Sequence, residues 1–444
     1  MKIGFVYILE PECLRFFLSA IIKDMMTRLI TFLTWTLQLV VAGVIAGVVA
    51  YVLTQAIHFI QALSFGYQSG SFSTMIATVA PERRFLSLLL AGAIAGLGWQ
   101  LLAKKAKPIQ PIQQTLSQQK DFSPWSQFCH GWLQLITVSM GAPVGREGAS
   151  REVAVALTAA CNKAINTPAA EQGLLLACAS GAALGAVYQA PLATIVFIME
   201  AIVKKCSVKH IYAAAITAFT AVQSVLVLSG HQDIQYLIPP QAWQLTTVLW
   251  AIFASPILAF LAFCYQQLLK NVPKAKPKPK SRWFIPHVLG AFGFSACLSL
   301  YFPEILGNGK AGLLLLLHHD VSLSYAALLL LSKAAAVYAV FASGAKGGKI
   351  APSMMLGGAS GLLLASLSNQ LGYLTVPLPL AIVIGATLFL GIINQIPLTA
   401  PLFLIEITGQ PLISLLPLAI VGLTSYLSQQ LFQKSLFFNK HKKL

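Results

Sequence analysis

Apolar residues in this chain come in long runs. Stretches 29–63, 85–102, 174–203, 243–263, 326–342 and 413–431 carry few charges and are long enough, whole or in pieces, to cross a hydrocarbon core of about 30 Å. The pattern predicts about ten to fourteen helical pieces. The polar interruptions between them are short and rich in Gly and Pro. The expected fold is an all-α polytopic membrane protein.

Two of these interruptions occur twice. GAPVGREGAS at 141–150 returns as GAKGGKIAPS at 344–353, an offset of 203 residues, and QAPLATIVFIME at 189–200 returns as QIPLTAPLFLIE at 395–406, an offset of 206. The copies predict two homologous halves, 29–235 and 283–438. A connecting helix and a basic Pro/Lys linker over 236–282 join them, with an N-terminal cytoplasmic or interfacial helix at 1–28 and a basic tail at 439–444. A Gly-rich break followed by a Pro-led helix ending in Glu, present in both halves, fits transporters whose broken helices meet near the bilayer midplane.

Composition strengthens the membrane assignment. The 444 residues are 57% hydrophobic and 10% charged, with a mean hydropathy of +0.75, outside the soluble globular range. The net charge of +17 sits in short linkers: Lys104, Lys105 and Lys107; Lys204, Lys205 and Lys209; Lys270, Lys274, Lys276, Lys278, Lys280 and Arg282; Lys440, Lys442 and Lys443. That placement marks the linkers as cytoplasmic and makes lipid headgroups, not nucleic acid, the expected partners. The 7 cysteines show no CxxC spacing and read as small buried hydrophobes. Glu10, Glu12 and Asp24 argue against a cleavable signal peptide at the N-terminus.

Among only 13 acidic residues, Glu147, Glu152, Glu200 and Glu406 lie within apolar segments, where a carboxylate is costly unless it faces a polar cavity or a partner. Glu147 stands out. In GREG its flanking glycines let backbone amides approach a ligand, and the helix that follows offers its N-terminus to an anion. Those amides can bind a halide or the Glu147 carboxylate, but not both, so the side chain is a candidate gate released by protonation. The alternative is that Glu147 pairs with Arg146 or Arg151 and fixes the loop. Glu200 and Glu406 read as helix-end carboxylates bonded to backbone or to a neighbouring Arg or Lys, with a proton carrier as the alternative role for Glu200.

GAPVGREGASREV, GAVYQAPLATIVFIMEA, ILGNGKAG, GAKGGKIAPSMMLGG and INQIPLTAPLFLIEITG, in that order, resemble the CLC family of chloride channels and proton-coupled chloride antiporters over about 29–438. The resemblance implies a fold of two inverted-topology halves with broken and half-spanning helices. It also implies a homodimer with a pore in each subunit, and a place in the plasma (inner) membrane of a prokaryote. Glu147 would be the external gating glutamate, with Gly145, Arg146 and Gly148 beside it, and Gly348 and Ala351 from the second Gly-rich copy, among the anion-binding residues. Gly348, Lys349, Ile350, Ala351 and Pro352 match the family's G-x-F-x-P, the amides of Lys349 and Ile350 holding a central chloride. No cofactor is implied beyond bound chloride ions, no enzymatic activity, and no C-terminal regulatory domain.

The departures shape the expected mechanism. The family's G-S-G-I-P aligns with Ala106-Lys107-Pro108-Ile109-Gln110, which lacks the serine ligand, and its pore tyrosine falls at Phe437 or Phe438, which lack the hydroxyl. Selectivity would then rest on backbone amides, helped by the ammonium of Lys349 or Lys107. Alternatively, Lys349 snorkels to the cytoplasm. The inner proton-relaying glutamate aligns with Ala201, and Glu200 points about 100° away round the helix. Passive or weakly coupled chloride conduction is therefore expected, with a proton-coupled chloride or fluoride antiporter as the alternative. A membrane-embedded enzyme using His130, His210, His318 and His319 is the remote alternative, since no HExxH accompanies them.

Overall fold

A backbone facing hydrocarbon must satisfy its own N–H and C=O groups, which leaves helices as the spanning elements. The computed structural model describes residues 11–67, 70–107, 123–165, 169–272, 277–372 and 374–441, and among them 16 α-helices and no strand are found. The first half comprises α1 (Pro11–Phe65), α2 (Phe72–Met75), α3 (Pro81–Lys105), α4 (Pro124–Ser139), α5 (Glu147–Ile165), α6 (Ala169–Tyr188), α7 (Pro191–Phe197, continued by a π-helical turn at Ile198–Val203) and α8 (Val208–Ser229). After α9 (Leu245–Asn271) come α10 (Phe284–Tyr301), α11 (Lys310–His318), α12 (Leu323–Ala342), α13 (Ile350–Gln370), α14 (Leu378–Asn394), α15 (Thr399–Thr408) and α16 (Leu415–His441). By length and composition, 8 of the described helical segments can cross a membrane. The chain is an integral, multi-pass membrane protein.

Large apolar side chains such as Leu90 and Leu97 on α3 and Phe253 and Ile257 on α9 point outward; faces this apolar belong against lipid. Small residues do the packing inside. On α13 and α14 the backbones touch: a Cβ on Gly357 would fall 2.2 Å from the Gly385 carbonyl oxygen, and one on Gly385 2.1 Å from that of Gly357. Close approach through glycine is how helices associate where no water drives them together.

The repeat is inverted, and its symmetry is visible in hydrogen bonds. Gly145 and Gly348, equivalent residues 203 apart, exchange N–H···O bonds of 2.8 and 2.7 Å in an antiparallel bridge. Glu200, nine residues after Pro191, accepts from the amides of Leu398 and Thr399 and from the Thr399 hydroxyl (2.9, 2.8 and 2.6 Å) at the start of α15. Glu406, nine residues after Pro397, accepts from the amides of Leu192 and Ala193 (3.0 and 2.7 Å) at the start of α7. Each Pro-led helix thus ends in the carboxylate that caps the other, which requires antiparallel copies about a two-fold axis. Each is also entered alike: Gln189 and Gln395 are left-handed (φ 53 and 60), and Ala190 and Ile396 donate back to Gly185 and Gly391 (3.0 and 2.9 Å), the 6→1 bond of a Schellman cap.

α1 is continuous from Pro11 to Phe65, so the described part of the N-terminal segment and the first apolar run share one helix. Nothing between residues 20 and 40 breaks a helix. Thr27, Thr31 and Thr34 return their hydroxyls to carbonyls one turn earlier, each at 2.8 Å, so the polar residues there need no water. The prolines Pro277 and Pro279 lie in a described non-helical stretch; Lys274 and Lys276 lie outside the described residues.

Candidate functional site

Glu147 is the first residue of α5 and only 2% exposed. Its Oε1 accepts from the Tyr188 hydroxyl and from the Ala351 amide, both at 2.9 Å, while Oε2 is buried with no partner. Two helices contributed by opposite halves, α5 and α13, start here, so their N-terminal partial positive charges face one carboxylate. The glycines on either side make the space: a Cβ on Gly145 would lie 1.8 Å from Oε2, and one on Gly348 1.9 Å from it. Gly148 has the same function toward a different group, Gln134 Oε1, which would be 2.4 Å from a Cβ there.

Among the described residues, neither Arg146 nor Arg151 forms an ion pair with Glu147. Arg151 Nε donates to Ser180 Oγ at 3.1 Å, and its guanidinium lies 5.3 Å from the Phe197 ring centroid. Arg146 is half-buried, with Nε lacking a partner, as does the buried Tyr236 hydroxyl. Lys310 Nζ lies 5.9 Å from the Tyr236 ring centroid. Arg151 adds positive potential near the carboxylate, and Lys310 lies beyond it against Tyr236.

Of the amides in the second Gly-rich copy, the one presented to Glu147 is that of Ala351. Lys349 and Ile350 occupy the preceding N-cap and first helical positions; Ile350 is buried, and exposed Lys349 holds Nζ 5.9 Å from the Phe341 ring centroid. Exposed Lys107 lines a cavity of about 600 Å³ together with Lys104, Lys278, Lys280 and Lys346, a ring of ammoniums that concentrates anions. Pro108, Ile109 and Gln110 lie outside the described residues. Phe437 lies on α16 with Phe438, and their side chains are outside the described residues.

At the edge of the same cavity His130 Nδ1 contacts Glu152 Oε2, which also accepts from Gln134 Nε2 at 3.0 Å. A contact between an imidazole nitrogen and a carboxylate oxygen holds a proton on one of them. Glu200 is occupied as the cap of α15, and half-buried Ala201 lies in the π turn against the core.

Two residues of the site escape sequence reasoning. Tyr188 is the last residue of α6; the only signal was its place immediately before the repeated Q-x-P-L. Lys333 is 0% exposed in α12 and donates from Nζ to the carbonyls of Ile305 and Gly307 at 2.7 and 2.8 Å. Gly307 N in turn donates to Gly141 O at 3.0 Å, so the buried ammonium ties a loop to the start of GAPVGREG. A lone lysine inside the apolar run 326–342 was the available signal. Lys333→Met is expected to cost roughly 2–4 kcal/mol, from two buried carbonyls left without a donor. Thermal unfolding in detergent checks this, and an unchanged melting temperature would show that the loop holds itself.

Comparison with known proteins gives one answer. The family "Voltage gated chloride channel" matches residues 91–430. The "Voltage-gated ClC-type chloride channel ClcB" of Escherichia coli is 28% identical over 426 residues, 90% of this chain and 97% of that one. Among solved structures, "a slow cyanobacterial Cl-/H+ antiporter" superposes with a TM-score of 0.75 at 17% identity, covering 90% of this chain and 95% of that chain. "A CLC-type fluoride/proton antiporter" gives 0.64 at 18%, covering 90% and 96%. With the family match spanning well over half of the residues, this chain belongs to the voltage-gated chloride channel, or CLC, family of membrane transport proteins, not to the enzymes.

Proposed function

We propose that this protein moves chloride, or a similar monovalent anion, across the membrane through a pathway in each subunit gated by Glu147, passively or with weak proton coupling. The observation that carries this is a buried carboxylate at the meeting point of two helix N-termini, one from each half, with two donors on one of its oxygens. A carboxylate and a halide compete for such a place. When Glu147 is deprotonated it fills the place; when protonated it binds the donors less strongly and an anion takes over. The ammonium ring of Lys104, Lys107, Lys278, Lys280 and Lys346 feeds the pathway from the cytoplasmic side, as the positive-inside rule orients it. Chloride ions are the proposed bound species, with no further cofactor. We place the protein in the plasma membrane of a prokaryote, as a homodimer joined through helices of both halves.

Fluoride is the second reading, favoured by the likeness to a solved CLC-type fluoride/proton antiporter. Purified protein in liposomes loaded with chloride, bromide, nitrate or fluoride separates the two when efflux is started by a potassium ionophore. Chloride efflux well above that of protein-free vesicles, with fluoride slower, is expected. A preference for fluoride would move the assignment to the second reading, and no efflux of any anion would overturn both.

A further inference from the structure

We infer that Tyr188 is itself a ligand of the transported anion. When Glu147 withdraws, the Tyr188 hydroxyl and the Ala351 amide, which now converge on Glu147 Oε1, hold the halide between them. α6 thereby supplies a side-chain hydrogen bond to the anion. This rests on the proposal that anions pass through the Glu147 site.

Tyr188 is 1% exposed, and its hydroxyl donates to Glu147 Oε1 at 2.9 Å. Leaving a buried hydroxyl without an acceptor is costly, so the departing carboxylate must be replaced by another acceptor. The place it vacates is framed by donors: the hydroxyl and the amide at equal distance from one point, where α5 and α13 begin. A monatomic anion satisfies both at once, and charge-assisted bonds of this kind are the stronger ones. The space is available because neither Gly145 nor Gly348 brings a Cβ into it.

The hydroxyl is also fixed in position. Its ring meets Phe403 of α15 edge-on, centroids 4.9 Å apart at 73°, and the next residue, Gln189, turns the chain sharply in the left-handed region (φ 53). Elements from both halves therefore aim it, and a donor fixed in advance loses nothing to reorganisation when the anion arrives. Because the O–H bond is strongest to the smallest and most basic halide, the hydroxyl offsets part of the larger dehydration cost of the smaller halides.

Chloride titration by calorimetry on the full-length protein tests this in a Glu147→Ala background, where the latch between Tyr188 and the gate is already gone. The Glu147→Ala/Tyr188→Phe protein is expected to bind chloride roughly 10-fold more weakly than Glu147→Ala alone, and its efflux order in liposomes to shift toward bromide. Fluorotyrosine at 188, with a more acidic hydroxyl, should move affinity the other way and guards against a folding defect in the double variant. Equal affinities in all three proteins would reduce Tyr188 to a latch for the closed gate and overturn the inference while leaving anion transport standing. Absence of both chloride binding and efflux in Glu147→Ala would overturn the anion assignment of the site, and the role of Tyr188 with it.

Discussion

Glu147→Gln is expected to carry anions at least as fast as the native protein, and to lose the acceleration that acid gives the native protein. Deprotonated Glu147 holds the Tyr188 hydroxyl and the Ala351 amide through bonds to a charged acceptor. Such bonds contribute about 1.5–3 kcal/mol each, against about 0.5–1.5 kcal/mol for a neutral one. Neutralising the side chain therefore weakens the closed arrangement by about 1–3 kcal/mol, a shift of about 5- to 150-fold between closed and open. Under the gating proposal the sign follows from the charge: a neutral carboxyl releases the native pathway, whereas Gln is neutral at every pH and Ala removes the blocking atoms altogether. Chloride efflux from liposomes across a series of external pH values measures it. A folded Glu147→Gln protein that keeps the native pH dependence would assign Glu147 to holding the GREG loop, and the gate would lie elsewhere.

Part of this site is legible in the sequence because its chemistry demands particular residue types. Gly145 and Gly348 leave a pattern because a Cβ at either would occupy the carboxylate's place. The two Pro-led helices show up as a repeat because each must end in a carboxylate that caps the other. What sequence could not give is which atoms meet. The aligned motif covers Lys349, Ile350 and Ala351 together, and only the phase of α13 set by its cap shows that Ala351 is the one whose amide donates to Glu147. Tyr188 is one of 12 tyrosines, and only the packing of the end of α6 against α15 turns its hydroxyl into the site. His130 and Glu152 are 22 residues apart on different helices, and no local spacing predicts their contact.

Proton coupling is where the structure makes the sharper demand. We expect a chloride gradient to drive little proton movement through this protein, and Glu200→Gln to leave that movement unchanged while destabilising the fold. A proton crossing the inner half needs a titratable stepping stone or a continuous water path, and the aligned position holds Ala201. Its neighbour Glu200 is fully engaged, accepting from two amides and one hydroxyl of α15. To carry a proton it would have to abandon that cap, at a cost of about 1–3 kcal/mol for each donor left without a partner. Glu152 faces the lysine-ringed cavity with His130, yet it lies about 140° round α5 from Glu147 and about 7.5 Å further along it. Neither acid forms a short path to the gate. Glu200→Gln should accordingly lower thermal stability by an amount in the same 1–3 kcal/mol range, since an amide oxygen caps a helix less strongly than a carboxylate. Chloride efflux and internal pH recorded together in the same liposomes, native against Glu200→Gln, are the decisive measurement. Robust chloride-driven proton uptake that vanishes in a stably folded Glu200→Gln protein would show that the cap opens during transport, and would make this chain a coupled antiporter with Glu200 as its inner proton carrier.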